Sequence, residues 1–93
     1  MIESTASVLI RRSTPCDKAA IERLAAANGQ RARGASFLLA EVGGTLVAAA
    51  PLDARAATIG ASTPATADVR ELLRRIAKGI RSREAEASLR HAA

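Results

Sequence analysis

Residues 36–52 read Ser36-Phe37-Leu38-Leu39-Ala40-Glu41-Val42-Gly43-Gly44-Thr45-Leu46-Val47-Ala48-Ala49-Ala50-Pro51-Leu52. Two apolar runs of strand length flank a Gly-Gly pair. Gly-Gly accepts positive φ at both central positions of a two-residue hairpin, so the stretch predicts antiparallel strands over 36–42 and 45–52. Pro51 cannot donate to a ladder, which ends the second strand there or puts it at an edge.

Working outward, Val8-Leu9-Ile10 is a short β-branched run closed by Arg11-Arg12 and predicts a first strand. Thr14-Pro15-Cys16-Asp17 follows as a helix start: Thr14 can cap, Pro15 suits the first helical position and Asp17 can reach back. Ala20, Ile21, Leu24 and Ala25 share one face, and Asn28-Gly29 supplies the stop, giving a helix over 15–27. A further short strand is expected at 56–59, within a segment 55–60 of ambiguous pattern. A second helix is expected from a Thr63 or Thr66 cap, with Val69, Leu72, Leu73, Ile76 and Ile80 buried and Arg70, Arg74, Lys78 and Arg81 on the solvent side. Residues 1–7 read as a loose lead-in. The fold class is therefore α+β: a small antiparallel sheet of three to four strands with two helices. One domain spans 1–82, and 83–93 form a frayed or helical tail.

Length and composition narrow the function classes. The chain has 93 residues and a net charge of +5. It is too short for a two-domain enzyme. Alanine supplies 23 residues and Phe37 is the single aromatic, so the core buries little area per residue and gains from a partner. Twelve of the fourteen basic residues are Arg, a bias that GC-rich coding produces without any nucleic-acid partner. With no aromatic platforms, composition gives no reason to invoke nucleic acid. Cys16 is the lone cysteine, which excludes an intramolecular disulfide, and His91 is the only histidine, so no metal site emerges. No apolar run reaches the roughly 20 residues of a membrane span, and no leader pattern opens the chain. The expected location is the cytoplasm.

The segment Ile10-Arg11-Arg12-Ser13-Thr14-Pro15-Cys16-Asp17, continued by Ile21-Glu22-Arg23-Leu24, resembles the "IRPATPAD" opening of the GNAT family of N-acetyltransferases. Leu39-Ala40-Glu41-Val42-Gly43-Gly44-Thr45-Leu46-Val47-Ala48 is similar to that family's "VAEVDGxLVG" hairpin. The resemblance covers roughly residues 8–52. The remainder resembles short actinobacterial GNAT-like proteins that stop early. It implies the front part of a GNAT fold, in the order β1-α1-β2-β3-(β4)-α.

The resemblance also implies an acetyl-CoA site, and here the chain departs from the family. GNATs hold the pyrophosphate with Q/R-x-x-G-x-G/A after the fourth strand, at a helix N-terminus. The near match here is Arg31-Ala32-Arg33-Gly34-Ala35-Ser36, which precedes a strand. Arg31, Arg33 and Gly34 are the cofactor-binding candidates. Asp68 is expected in the first turn of the second helix, where a carboxylate satisfies the helix dipole and repels a pyrophosphate. No catalytic residue is assigned. Cys16, with no histidine near it in sequence, reads as a small half-buried side chain. Glu41 reads as a strand-end surface residue, and the pairs Arg11-Arg12 and Arg74-Arg75 read as solvated faces.

The reading is a non-catalytic GNAT-like module for binding or interaction, paired with itself as a homodimer or with another protein. One alternative is an acyl-CoA-dependent N-acyltransferase completed by a second chain, the only case that needs acetyl-CoA. The other is a basic nucleic-acid-binding accessory. The last strand is expected to present an unpaired edge for self-association.

Overall fold

The structure, a computed structural model, describes residues 8–53, 56–61 and 63–92. The lead-in over 1–7 lies outside them, as does Arg55. Strand β1 spans Val8–Arg12, β2 Phe37–Val42, β3 Thr45–Pro51 and β4 Ile59–Gly60. They form one antiparallel sheet in the order β1-β2-β3-β4. A 3-10 turn over Pro15–Asp17 leads into helix α1, Lys18–Ala27, and helix α2 spans Pro64–Ala92. The arrangement is α+β, in the order β-α-β-β-β-α.

The hairpin forms as its glycines dictate: Gly43 and Gly44 have φ of 59° and 80°. The β2–β3 register jumps at Ala40/Glu41, where Ala40 faces Ala48 but Glu41 faces Leu46. Val47 is thus the extra residue of a β-bulge.

Helices cover both faces of the sheet. Phe37, Leu39, Ala49 and Ile59 pack with Ile21 and Ala25 of α1. Leu38, Ala40, Ala48, Ala50 and Leu52 pack with Leu73 and Ala77 of α2. That is why both central strands are continuously apolar rather than alternating: each face meets a helix. The run of alanines at 48–50 lets the helices approach closely. All three are at most 1% exposed.

Three expectations need correction. The fourth strand is two residues long and begins at Ile59; Ala56, Ala57 and Thr58 are outside it. Alanine has low strand propensity and offers little for a sheet to pack. Leu72 is 47% exposed, and Ala77 completes the buried stripe instead. With 3.6 residues per turn, positions 69, 73, 76, 77 and 80 share one face and 72 sits roughly a quarter turn away. Arg70 and Arg81 do not join the solvent face. The Arg70 Nη2 donates to the Thr58 carbonyl at 3.3 Å and the Arg81 Nη1 to the Pro51 carbonyl at 2.7 Å. Of the two forms expected of the tail, the structure takes the helical one: α2 runs past residue 82 to Ala92, and an ion pair of 3.4 Å between Arg12 and Glu84 ties this extension to β1.

Candidate functional site

The loop carrying Arg31, Arg33 and Gly34 joins α1 to β2 and is pinned at both ends. At its start, the Gln30 side chain accepts the Gly60 N–H on Oε1 at 2.9 Å and donates from Nε2 to the Thr58 carbonyl at 3.2 Å. An amide bridging the Thr58 carbonyl and the Gly60 N–H in this way stands in for a residue of a neighbouring strand. At its end, the Asp53 carboxylate accepts the Ala35 N–H at 2.8 Å. That bond, with a second from Ser36, holds the Asp53 carboxyl below the usual carboxylate range. The loop therefore presents Arg31 and Arg33 outward, both exposed, on a fixed base.

Beside the loop is a hollow of about 420 Å3 lined by Gln30, Arg31, Arg33, Ala56 and Ala57. Gly34 lies instead on a cleft of about 400 Å3 floored by Phe37 and Ile21. The three cofactor candidates are thus divided between two concavities. The segment leads into β2 rather than opening a helix.

The helix that follows β4 satisfies part of its N-terminus from its own chain. Thr63 precedes Pro64, which has no backbone N–H to offer. The N–H groups of Thr66 and Ala67 both donate to the Thr63 carbonyl, at 3.1 and 3.0 Å. The Thr66 hydroxyl donates to the Ala61 carbonyl at 2.7 Å and shares a 2.9 Å hydrogen bond with the Thr63 hydroxyl. The expected first-turn carboxylate is not there: α2 starts at Pro64, which puts Asp68 in the second turn. Any repulsion of a pyrophosphate from Asp68 is correspondingly weaker.

At the opposite end of the sheet, Arg11 bridges two carboxylates. Its guanidinium meets Asp17 through two hydrogen bonds of 2.9 Å and Glu41 at 3.3 Å. Asp17 also accepts the Thr14 N–H at 2.7 Å, the reach-back that the Thr-x-x-Asp spacing predicts. The Arg11 guanidinium, and then the Thr14 N–H, hold the Asp17 carboxyl well below its ordinary range. The same two carboxylates raise Arg11 further above its already high value. This cluster is a charge-paired clamp between β1, β2 and the start of α1. Glu41 is consequently half-buried and engaged rather than a solvated strand end, and Arg11 and Arg12 are both paired. Arg74 and Arg75 share Glu71, at 2.7 and 3.2 Å. Cys16, expected half-buried, is exposed.

Sequence reasoning missed Gln30, Arg70 and Arg81, the polar side chains that tie loop and helix to sheet carbonyls. The one local signal was Gln30 directly after the Asn28-Gly29 stop, where the chain turns back toward the sheet. Among the described residues, no group of three or more His, Cys, Asp or Glu is placed to hold a metal ion, and no helix is long and apolar enough to cross a membrane. No family model, curated protein or solved structure matches the chain.

Proposed function

We propose that this chain is a non-catalytic, GNAT-like small domain that acts in the cytoplasm as a binding or interaction module. The observation that carries the reading is the state of the β4–α2 junction. The resemblance would put the acetyl-CoA pyrophosphate there, on free backbone donors of a helix N-terminus. In this chain Pro64 removes one donor, the Thr63 carbonyl takes the Thr66 N–H, and Gln30 takes the Gly60 N–H. The candidate residues Arg31, Arg33 and Gly34 lie on a different loop and face two separate concavities. Calorimetric titration with acetyl-CoA tests the reading, which expects no micromolar binding. Acetyl transfer to any amine acceptor would favour the acyltransferase completed by a partner chain.

The partner we favour for self-association is a second copy pairing along β1. Its one partner strand among the described residues is β2, and Val8 and Leu9 on it are 42% and 55% exposed. The edge first expected, at the last strand, is a poorer candidate because Gln30 already occupies its polar groups.

A further inference from the structure

Five of the described basic residues line two hollows that share Ala56 and Ala57. The smaller hollow, of about 420 Å3, carries Arg31 and Arg33. The larger, of about 1020 Å3, carries Arg74, Lys78 and Arg81. The carboxylates lining the larger hollow are Asp53 and Glu84: Glu84 is ion-paired with Arg12, and Asp53 accepts the Ala35 N–H, which orients it and leaves its negative charge in place. Arg74 is neutralised by Glu71. Arg31, Arg33 and Lys78 have no carboxylate partner among the described residues. Arg81 bonds a carbonyl, which leaves its charge uncompensated. Codon bias accounts for the number of arginines but not for cations gathered in two hollows that meet at Ala56 and Ala57.

We infer that this double hollow binds a nucleic-acid strand by its phosphodiester backbone. A single anion fills one hollow; two adjoining hollows that each carry cations fit an anion that repeats along its length. The guanidinium fork matches phosphate oxygens in a bidentate way. The only aromatic, Phe37, is buried, so no base is stacked and the contact is independent of sequence. The inference names the partner of the proposed binding module and rests on that reading.

The test is fluorescence anisotropy of the full chain with a labelled 20-nucleotide mixed-sequence DNA, as single strand and as duplex, from 50 to 300 mM salt. Four phosphate contacts, from Arg31, Arg33, Lys78 and Arg81, give a slope of log K against log salt of about −3 for the single strand. Replacing Arg31 and Arg33 together by Gln lowers that slope by about 1.4, and Lys78→Gln by about 0.7. Arg23→Gln, exposed on α1 and lining neither hollow, leaves it within about 0.3, since a charge off the contact releases no counterion. These substitutions sit on exposed side chains, and circular dichroism confirms that the variants are folded. No binding at 50 mM salt overturns the inference. So does an Arg23→Gln loss equal to that of Lys78→Gln, because binding would then follow net charge alone. Competition by poly-glutamate as effective as that by unlabelled oligonucleotide, matched in charge, overturns it in favour of an acidic protein partner. Acetyl transfer by the chain would instead overturn the module reading and leave the oligonucleotide result standing.

Discussion

The Gln30 side-chain amide accepts the Gly60 N–H at 2.9 Å, and so fastens a two-residue strand to the turn after α1 from 30 residues away in the chain. β4 is too short to hold itself by ladder bonds alone. Gln30→Leu leaves the buried Gly60 N–H without its acceptor, which costs about 1–3 kcal/mol. Hydrogen exchange at the Gly60 amide should accelerate more than at Ala49, and urea unfolding should shift to a lower midpoint. Unchanged Gly60 protection would mean that the β3 pairing alone holds the strand.

Gly60 is also where β4 passes the bulge. Its φ is 149°, and a Cβ built there would lie 2.8 Å from the Val47 carbonyl oxygen. That oxygen is backbone of the bulged residue and cannot swing aside. Gly60→Ala is therefore expected to destabilise by about 1–3 kcal/mol through strain and contact combined. An unaltered urea midpoint for Gly60→Ala would show that the bulge relaxes without cost.

Acid should weaken the β1–α1 clamp. The folded-state pKa of Asp17 lies below its unfolded value, so its contribution to stability is full above the unfolded value of about 4. It is lost as pH falls from there toward the folded value. Glu71, held down to about 2 by Arg74 and then Arg75, acts in the same direction, but it is half-exposed and screened by solvent. Asp17→Asn should flatten the acid limb of a stability–pH profile between pH 4 and lower values, and Glu71→Gln should change it little. Equal effects of the two would place the acid sensitivity in general charge repulsion.

Self-association through β1 should appear as a dimer mass in light scattering at micromolar concentration. Leu9→Lys puts a charge on the exposed edge and should return the monomer. A wild-type chain that stays monomeric at several hundred micromolar would remove the second copy from the list of partners.

The order of elements was legible in the sequence because the punctuation is local. Gly43-Gly44 fixes the hairpin, Thr14-Pro15 through Asp17 starts α1, and Asn28-Gly29 ends it. The strand faces were less legible: with helices on both sides, 37–42 shows no alternation to read. The misassigned positions share a cause. Leu72 is apolar and near the stripe, yet its angle round α2 turns it outward. Arg70 and Arg81 lie off the apolar stripe, yet long stems carry their heads to sheet carbonyls. Gln30 is an unremarkable loop residue until the chain brings Thr58 and Gly60 beside it. The division of Arg31 and Gly34 between two concavities likewise depends on the path of 56–57, which no local pattern determines.

The central claim is that the chain has no acetyl-CoA site, and its most direct test compares two ligands by calorimetry at 150 mM salt. Acetyl-CoA and adenosine 3′,5′-bisphosphate share phosphates, but only acetyl-CoA carries the acyl-pantetheine arm. A basic surface alone binds both weakly and equally, whereas an acyltransferase site gains from the arm. The account predicts that acetyl-CoA binds no more tightly than the bisphosphate, with neither reaching micromolar affinity. Micromolar acetyl-CoA binding at least tenfold tighter than the bisphosphate, and abolished by Arg31→Ala with Arg33→Ala, would contradict it.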